Sequence, residues 1–504
     1  MRQGTKEPLD MRVMQQALDW LESRLPLGAF VRELAGHRVP QKSASWWYVF
    51  GSAAVAVLVL QLVTGVLLAV FYVPSAGEAW SSLQALNHDV PFGWFVRALH
   101  GWGSNFMVAL VAVHLAQVFL FGAYKFPREL TWMAGVVLLL LTLGMAFTGQ
   151  LLRFDQDAYW GIGIGVSIAS RVPIAGPWLV DLMLGGPIIA GATLSRFFAL
   201  HVMVIPGLLL ALLGLHLLLV VRLGINEWPV AGRPVRRATY RQEYDELTRR
   251  TGVPFVPYAI GKDVAFSTMI LIAIVLCAFW LGPFGPGGQP DPTIIETSPR
   301  PDPPFLWLFA LLSLLPPELE TPALLIGPLV GILVLLALPL FSSEGEKSWL
   351  RRPIAVLVVL LSVTTFVTLT QLAGAAPWSP QMNAWSGQPI PAPLLSGRTA
   401  VERQGALVFQ SKQCHNCHTL DGQGGKRGPA LDAIAVRLTG DQLVRQVIQG
   451  DGNMPAYRKN LTPPQTIALV AFLQTLRPAG LPPARDASRT VLDGVAAPPA
   501  SGAP

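Results

Sequence analysis

Four histidines lie inside two strongly apolar stretches of the chain, two in each stretch. His100 and His114 are 14 residues apart, and His201 and His216 are 15 residues apart. At about 1.5 Å per residue, each pair spans roughly 21–22 Å of helix, most of a bilayer core of about 30 Å. Because the members of each pair share one helix face, pairing His100 with His201 and His114 with His216 predicts two bis-imidazole haem b sites, one near each membrane surface.

The alternative for any single histidine is a core residue that hydrogen-bonds to a neighbour. Four ionisable side chains in register within apolar segments favour ligands, because such groups are costly in a membrane and usually mark a pathway or a site. Composition agrees, since only 13% of the 504 residues are charged, against about 25% in soluble proteins. Apolar runs of about 20 residues predict seven spans, near 46–72, 94–121, 131–150, 197–222, 264–282, 322–341 and 353–374.

The distribution of basic residues explains the net charge of +7 without nucleic acid. Twenty Lys and Arg lie before the first span and in alternate loops, whereas the intervening loops carry five. By the positive-inside rule, the N-terminus is expected in the cytoplasm and everything after residue 374 on the outer, periplasmic side of a prokaryotic inner membrane. His100 and His201 then serve the outer haem, and His114 and His216 serve the inner haem. The first 45 residues are polar and charged, so we expect no cleavable signal peptide.

The segment after the spans contains the sequence Cys414-His415-Asn416-Cys417-His418. This C-x-x-C-H pattern is typical of covalent haem c attachment, with Cys414 and Cys417 as thioethers and His418 as one axial ligand. Met454 is the candidate sixth ligand, since a thioether sulfur raises the haem potential. A zinc site or a redox disulfide is the alternative for the two cysteines. Cys277, in the fifth span, is expected to be core packing.

Residues 20–374 resemble cytochrome b of the quinol-oxidising cytochrome bc complexes, about seventy percent of the chain. Beyond the histidines, the resemblance includes glycines 14 apart on the first span (Gly51, Gly65) and on the third (Gly135, Gly149), where a missing side chain would let a haem face approach the backbone. Helix packing through small residues is the alternative for either glycine pair. Further matching segments are Arg97 before His100, Lys125 to Trp132, Asp155-Gln156, Tyr159-Trp160-Gly161, Thr193 to Phe197, Pro257-Tyr258 and Lys262-Asp263.

The resemblance implies an enzyme subunit that oxidises quinol at an outer site and contributes to proton translocation. One electron would go to a Rieske iron-sulfur protein, and the other would cross two b haems to an inner quinone site. The haem c would pass electrons to a downstream acceptor, namely a cytochrome c, an oxidase or a reaction centre. The resemblance also implies a homodimer within a complex surrounded by membrane lipids. Arg97 would pack against haem.

The expected fold is therefore all-α, a bundle of seven to eight transmembrane helices followed by a small helical cytochrome c domain. The predicted segments are an amphipathic N-terminal segment (1–45), a four-helix haem b domain (46–223), a cytoplasmic loop (224–263), a three-helix domain with the outer quinol-site loop (264–374), a proline-rich linker (375–398), the cytochrome c domain (399–477) and a disordered tail (478–504).

The outer quinol site departs from the family pattern. The family usually has Pro-Glu-Trp-Tyr there, and the residues that we align with it are Pro303-Pro304-Phe305-Leu306, without the proton-accepting carboxylate. Quinol oxidation in a dry pocket favours a buried carboxylate as acceptor, so Glu318, Glu320 and Asp155 are candidates. The alternative is that both glutamates only begin the sixth span and face water. Gly161, Pro303 and Phe305 are expected to border this pocket.

The inner site also follows from the resemblance. Lys262 and Asp263 would hydrogen-bond and protonate a reduced quinone, with Arg222 nearby, although Arg222 equally fits a snorkelling residue at the membrane edge. Photosynthetic relatives attach an extra haem through a cysteine at the place of Val49, so no third membrane haem is expected here.

Two other classes of function compete with this one. A non-catalytic electron conduit would need only the first four spans, whereas this chain retains residues 255–341, which build quinone pockets in the family. A haem-bearing membrane anchor of another quinone-linked enzyme is the third class.

Overall fold

The computed structural model describes residues 9–25, 28, 36–186, 188–291, 300–375, 390–412, 414–416, 418–424, 428–450, 454, 457 and 461–484. Within these residues the regular secondary structure is almost wholly helical, as the all-α prediction requires. Three expectations concern parts outside the described residues: most of the proline-rich linker (376–389), Cys417, and the tail from 485 onward.

The main helices are α1 (Leu9–Glu22), α2 (Phe50–Phe71), α3 (Ala79–His88), α4 (Gly93–Leu120), α5 (Glu129–Leu151), α6 (Gln156–Ser170), α7 (Gly176–Leu184), α8 (Gly191–Ala199), α9 (Ile205–Leu223), α10 (Tyr240–Thr251), α11 (Ile260–Leu281), α12 (Leu306–Leu314), α13 (Pro317–Phe341), α14 (Pro353–Ala375), α15 (Ala400–Ser411), α16 (Gly440–Gln449) and α17 (Pro463–Leu473). One-turn α-helices lie at Phe255–Tyr258, Ala392–Leu395 and Ile434–Arg437, and 3-10 turns at Gln41–Ser43, Pro303–Phe305, Trp349–Arg351 and Cys414–Asn416. Two short antiparallel pairs join β1 (Arg38–Pro40) to β2 (Gly252–Pro254) and β3 (Thr419–Leu420) to β4 (Gln423–Gly424).

Seven of the described helices are long and apolar enough to cross a membrane, which confirms the predicted spans. They are Phe50–Phe71, Gly93–Leu120, Glu129–Leu151, Gly191–Leu223, Ile260–Leu281, Glu318–Phe341 and Pro353–Gly374. Their side chains are largely exposed. In the fourth, sixth and seventh spans, only 6% of an apolar stretch of 18 residues is buried. Exposed apolar side chains on long helices are what a lipid solvent permits, because each helix satisfies its own backbone hydrogen bonds. The protein is therefore a multi-pass membrane protein.

Small side chains bring the first, second and fifth spans together. Ala53 and Val57 on α2 are fully buried against Leu110 on α4 and Ile274 on α11. In a lipid environment such close packing replaces the hydrophobic effect as the force that associates helices. This contact positions α2 beside the histidine-bearing helix α4.

The C-terminal domain has its own apolar core. Its largest buried side chains include Phe409, Leu420 and Phe472. Helices α15, α16 and α17 each begin with a threonine capping box, at Thr399–Glu402, Thr439–Gln442 and Thr462–Gln465. Each box satisfies two otherwise unpaired backbone N–H groups, so the sequence itself marks where these three helices start.

A buried ionic network closes the end of the bundle that carries His114 and His216. Lys347 Nζ lies 2.9 Å from Glu227 Oε1, and both residues are less than 9% exposed. Tyr240 donates to Glu227 at 2.6 Å and accepts from Arg128 at 2.6 Å. Burial alone would raise the pKa of Glu227, but the charges of Lys347 and Arg128 and the Tyr240 hydrogen bond lower this pKa to about 2. The network joins the three loops that contain Arg128, Glu227 and Lys347.

Glu227→Gln is expected to lower the free energy of unfolding by about 3–5 kcal/mol, because it leaves the Lys347 ammonium buried without its counter-charge. The double variant Glu227→Gln/Lys347→Met should recover much of the loss. Glu246→Gln is the control, since it breaks only exposed contacts with Arg249 and Arg250 and should leave stability unchanged. Thermal unfolding in detergent measures all three. Equal stability of the Glu227 and Glu246 single variants would contradict the role of the network.

Candidate functional site

The four histidines form two pairs between α4 and the fourth span. The ring centroids of His100 and His201 lie 6.2 Å apart. Two imidazoles that share one metal have ring centres about 6 Å apart, when two metal–nitrogen bonds of about 2.0–2.1 Å are added to the ring radii. His114 lies close enough to His216, at the other end of the same helices, for the two rings to interact electrostatically. The first pair thus has the spacing that a haem iron between two imidazoles requires.

A π turn over Leu200–Val204 explains why the second histidine interval is one residue longer than the first. The turn lies between α8 and α9 and contains His201. In a continuous α-helix the extra residue would rotate His216 by about 100° from the position that a 14-residue interval would give it. A π turn absorbs one residue, and such turns frequently occur at functional sites. With the π turn, the 15-residue interval therefore keeps His201 and His216 on one helix face, as the 14-residue interval does for His100 and His114.

The four glycines that sequence reasoning singled out each face one of these histidines. A Cβ on Gly51 or Gly65 would come within 3.2 Å of His114 Cε1 or His100 Cε1, respectively. On Gly149 it would lie 2.7 Å from His201 Cε1, and on Gly135 it would lie 3.5 Å from His216 Cε1. The missing side chains thus make space beside every ring. The residues present fit a pair of haems held between these helices.

We expect Gly149→Ala to reduce occupancy of the outer haem and Gly135→Ala to leave the inner haem in place. A distance of 2.7 Å forces His201 to move, whereas 3.5 Å is ordinary van der Waals contact. Reduced-minus-oxidised spectra of the two purified variants measure the result. Full b-haem content in Gly149→Ala would show that the space beside His201 is not needed for haem binding.

A charged cluster, formed by Arg97, Arg153, Asp155 and Asp302, lies at the end of the bundle that carries His100 and His201. Arg97 is buried and donates to Asn87 Oδ1 at 2.9 Å and to the Phe284 carbonyl. Arg153 Nη1 lies 2.9 Å from Asp302 Oδ1 and its Nε lies 3.7 Å from Asp155 Oδ2. We call these four residues the outer charged cluster.

Asp155 has both carboxylate oxygens occupied by backbone groups. Oδ1 accepts from Ala158 N at 2.9 Å and caps α6, and Oδ2 accepts from Gly287 N at 2.8 Å. Asp155 thereby ties the start of α6 to the loop after α11. This arrangement is a structural role, and its predicted part in proton transfer stays a prediction.

Asp302 is the acidic residue of this region that sequence reasoning missed. It directly precedes the turn Pro303–Phe305, and its backbone N–H donates to Gln150 Oε1 at 3.0 Å. Burial raises the pKa of Asp302, and the charge of Arg153 offsets only part of that rise. The available signal was the pair Pro301-Asp302, immediately before the segment that we aligned with the family motif.

The other predicted outer-site residues are divided between the protein interior and the surface. Phe305 packs against Phe147 with ring centroids 6.1 Å apart, and Gly161 lies against Leu151. Glu320 pairs with Arg171 at 3.5 Å, and both are partly exposed. Glu318 is exposed in the first turn of α13. In the part of the chain that the structure describes, neither glutamate contacts the outer charged cluster.

The inner-site candidates lie at the start of α11, next to the first span. Asp263 Oδ1 accepts from Ser52 Oγ at 2.7 Å, and Lys262 Nζ donates to the Ala44 carbonyl at 2.7 Å. Ser52 follows Gly51, the glycine that faces His114, so the Ser52–Asp263 pair lies beside the inner histidine pair. Sequence reasoning missed Ser52. Arg222 is exposed in the last turn of α9.

The C-terminal domain brings the described ligand candidates into one small helical unit. His418 Nδ1 donates to the Pro429 carbonyl at 2.8 Å, which leaves Nε2 free for a metal. Gly428 lies so close that a Cβ would fall 2.5 Å from His418 Cε1. Cys414 and Met454 both pack against the domain core. Thiol, imidazole and thioether donors in this arrangement suit a covalently attached haem.

The neighbouring His415 has a different environment. Its ring packs edge-on against Phe409 with centroids 4.9 Å apart, and burial lowers its pKa. His415 is thus a core residue of the domain.

Two family models match the chain. Residues 35–224 match the model described as Cytochrome b/b6/petB, and residues 400–473 match that of Cytochrome C oxidase, cbb3-type, subunit III. The chain is 38% identical over 211 residues to cytochrome b6 of Heliobacterium modesticaldum, which covers 42% of this chain and 99% of that protein. It is also 38% identical over 221 residues to the menaquinol:cytochrome c reductase cytochrome b subunit of Geobacillus thermodenitrificans, with 42% and 99% covered.

A longer match extends through the C-terminal spans. The chain is 32% identical over 365 residues to cytochrome b of Allochromatium vinosum, covering 70% of this chain and 87% of that protein. Among solved structures, a chain of a hyperthermophilic respiratory complex III is similar with a TM-score of 0.61 and 27% identity, covering 72% of this chain and 92% of that one.

Proposed function

The chain belongs to the cytochrome b family and carries a cytochrome c domain at its C-terminal end, and we propose that it couples outer quinol oxidation to inner quinone reduction. It is the cytochrome b subunit of a bc-type quinol:cytochrome c reductase. The observation that carries the proposal is the stacking of two histidine pairs between the same two helices, each ring facing a glycine. With a haem bound at each pair, that arrangement would give electrons a route through the bilayer.

His100 and His201 would hold the outer haem b, and His114 and His216 the inner haem b. Cys414 and Cys417 would attach haem c, with His418 and Met454 as axial ligands. When bound, the haems supply reversible one-electron transfer between ferrous and ferric iron. The protein supplies their spacing, their ligands and a dry surrounding, which together set their potentials.

At the outer site, the residues must accept the protons that quinol releases. Asp302 is the best-placed acceptor, because its carboxylate is partly buried, with 27% of the side chain exposed, and its raised pKa favours taking up a proton. Arg153 fixes its orientation through the 2.9 Å ion pair. Phe147 and Phe305 would line the apolar side of the pocket and exclude water. Asp155 and Glu320 remain further candidates from the sequence, and Glu318 faces solvent.

At the inner site, the residues must deliver protons to a reduced quinone. Asp263, oriented by the hydrogen bond from Ser52, would donate a proton to the quinone at the cytoplasmic membrane edge. Lys262 and Arg222 would attract protons or the quinone head from the cytoplasmic side. Release of protons outside and uptake inside would contribute to proton translocation.

The chain needs partners for this reaction. It has three cysteines, two of which belong to the haem c motif, and the described residues hold no group of three or more candidate metal ligands. A separate Rieske protein would therefore take the first electron and pass it to the fused haem c, which would reduce a downstream acceptor outside. The proposal also includes a homodimer in a prokaryotic inner membrane, with the N-terminus in the cytoplasm.

A haem count tests the cofactor assignment. The purified protein should contain two b haems for each c haem in a pyridine haemochrome assay, because Val49 offers no thiol for a further covalent haem. A ratio of one to one would contradict the assignment of one haem b to each histidine pair. A pure electron conduit would give the same ratio, so the enzyme assignment needs a measurement of quinol-driven haem reduction.

A further inference from the structure

The outer histidines differ from the inner ones in what their second ring nitrogens contact. Thr64 Oγ1 lies 2.9 Å from His100 Nδ1, and Thr148 Oγ1 lies 3.0 Å from His201 Nδ1. Both threonines are about 95% buried. The outer pair therefore has two matched hydroxyl contacts, one from α2 and one from α5.

Each hydroxyl has its proton directed away from the imidazole. Thr64 Oγ1 donates to the Leu60 carbonyl at 2.7 Å, and Thr148 Oγ1 donates to the Gly144 carbonyl at 2.8 Å. Since a hydroxyl has one proton, its oxygen must accept from the ring. Nδ1 of both histidines then carries the hydrogen, and Nε2 is left as the ligand nitrogen.

The inner pair has no equivalent contact within the part of the chain that the structure describes. Nδ1 of His114 and Nδ1 of His216 are buried without a hydrogen-bond partner there. The Gln117 side chain and the Thr131 backbone are near these rings but fall short of hydrogen-bond geometry.

The sequence carries the same asymmetry. Thr64 and Thr148 each directly precede the glycine that faces an outer histidine, Gly65 or Gly149. The corresponding positions before the inner glycines are Phe50 and Ala134, which offer no hydroxyl.

We propose that Thr64 and Thr148 are positioning residues that orient the outer histidines and lower the reduction potential of the outer haem relative to the inner one. A ring N–H that donates to a fixed acceptor makes the imidazole a stronger donor to the metal. Stronger donation stabilises the ferric state, so the potential falls. This inference rests on the proposed function, because it assumes that both pairs bind haem.

Redox titration of the purified complex tests the proposal, with each b haem followed by its absorption band. Thr64→Val and Thr148→Val should each shift the midpoint potential of the outer haem upward, and the double variant should shift it further, with the inner haem unchanged. Thr64→Ser and Thr148→Ser keep the hydroxyl and should retain the native midpoint. Ala134→Thr, at the position before Gly135, should shift the inner midpoint downward.

Thr142 is the matched control on the same helix as Thr148. It is equally buried and donates to the Leu138 carbonyl at 2.8 Å, with no histidine contact, so Thr142→Val should leave both midpoints unchanged. Loss of the outer haem from the valine variants but not from the serine variants would also support the positioning role. An unshifted outer midpoint in the valine double variant, or equal loss of haem from valine and serine variants, would overturn the proposal. If the wild-type protein lacks two b haems, the proposed function fails instead.

Discussion

His216→Leu is expected to remove the inner haem, keep the outer haem and abolish electron flow to the inner quinone. The variant loses one of two ligands at a site with no alternative imidazole on either helix, since His201 belongs to the other pair. The b-haem content should fall to one per c haem, and quinol oxidation should stall once the remaining b haem is reduced. Spectral haem counts and steady-state quinol:cytochrome c turnover measure the two effects.

His88 provides the control for this prediction. It is exposed as the last residue of the short helix α3, outside the apolar spans, so His88→Leu should retain both b haems and normal turnover. Retention of two b haems in His216→Leu would show that the pairing of helices α4 and α9 has been misread.

Asp302→Asn is expected to slow quinol oxidation by about 10²- to 10⁴-fold, the usual contribution of a positioned general base. The amide keeps the size of the side chain but cannot accept the quinol proton. Only the ionised form of Asp302 is an acceptor, so the wild-type rate should rise with pH through its pKa, which burial raises above its ordinary value. Asp302→Asn should lose this rise of the rate with pH, and Asp302→Glu should retain it.

Glu318→Gln and Glu320→Gln separate Asp302 from the earlier candidates. Glu318 is exposed, and Glu320 faces Arg171, so both variants should keep the wild-type rate and pH profile. The assignment would be contradicted if Asp302→Asn kept the wild-type rate and pH profile while Glu318→Gln or Glu320→Gln lost them. The proton acceptor would then be a glutamate of the sixth span.

The spans and the histidine pairs could be predicted because the signals are local. An apolar run of about 20 residues has few structures open to it other than a membrane helix, and two histidines on one face of such a helix keep their spacing in any packing. The glycines were predicted through resemblance, and the structure adds that each faces a histidine ring. The π turn at His201 was not predictable from the residues, since Leu200–Val204 have no composition that distinguishes them from an α-helix.

The missed residues depend on contacts between distant parts of the chain. Asp302 pairs with Arg153, and Lys347 pairs with Glu227, across separations of more than a hundred residues that no local pattern encodes. Thr64 and Thr148 are common residues in apolar helices, and only the tertiary structure places their hydroxyls on the outer histidines. A charged loop residue is usually solvated, so the buried network at Glu227 required the packed structure to be recognised.

Quinol-driven haem reduction, recorded as spectra with and without an inhibitor of the inner quinone site, tests the central claim most directly. The complex purified with its iron-sulfur partner is mixed with quinol, and the b and c bands are followed together. Transient reduction of b haem alongside c haem, larger when the inner site is inhibited, is the result that bifurcated oxidation predicts. Quinol that reduces neither b nor c haem in the same preparation would contradict the claim and favour an electron conduit.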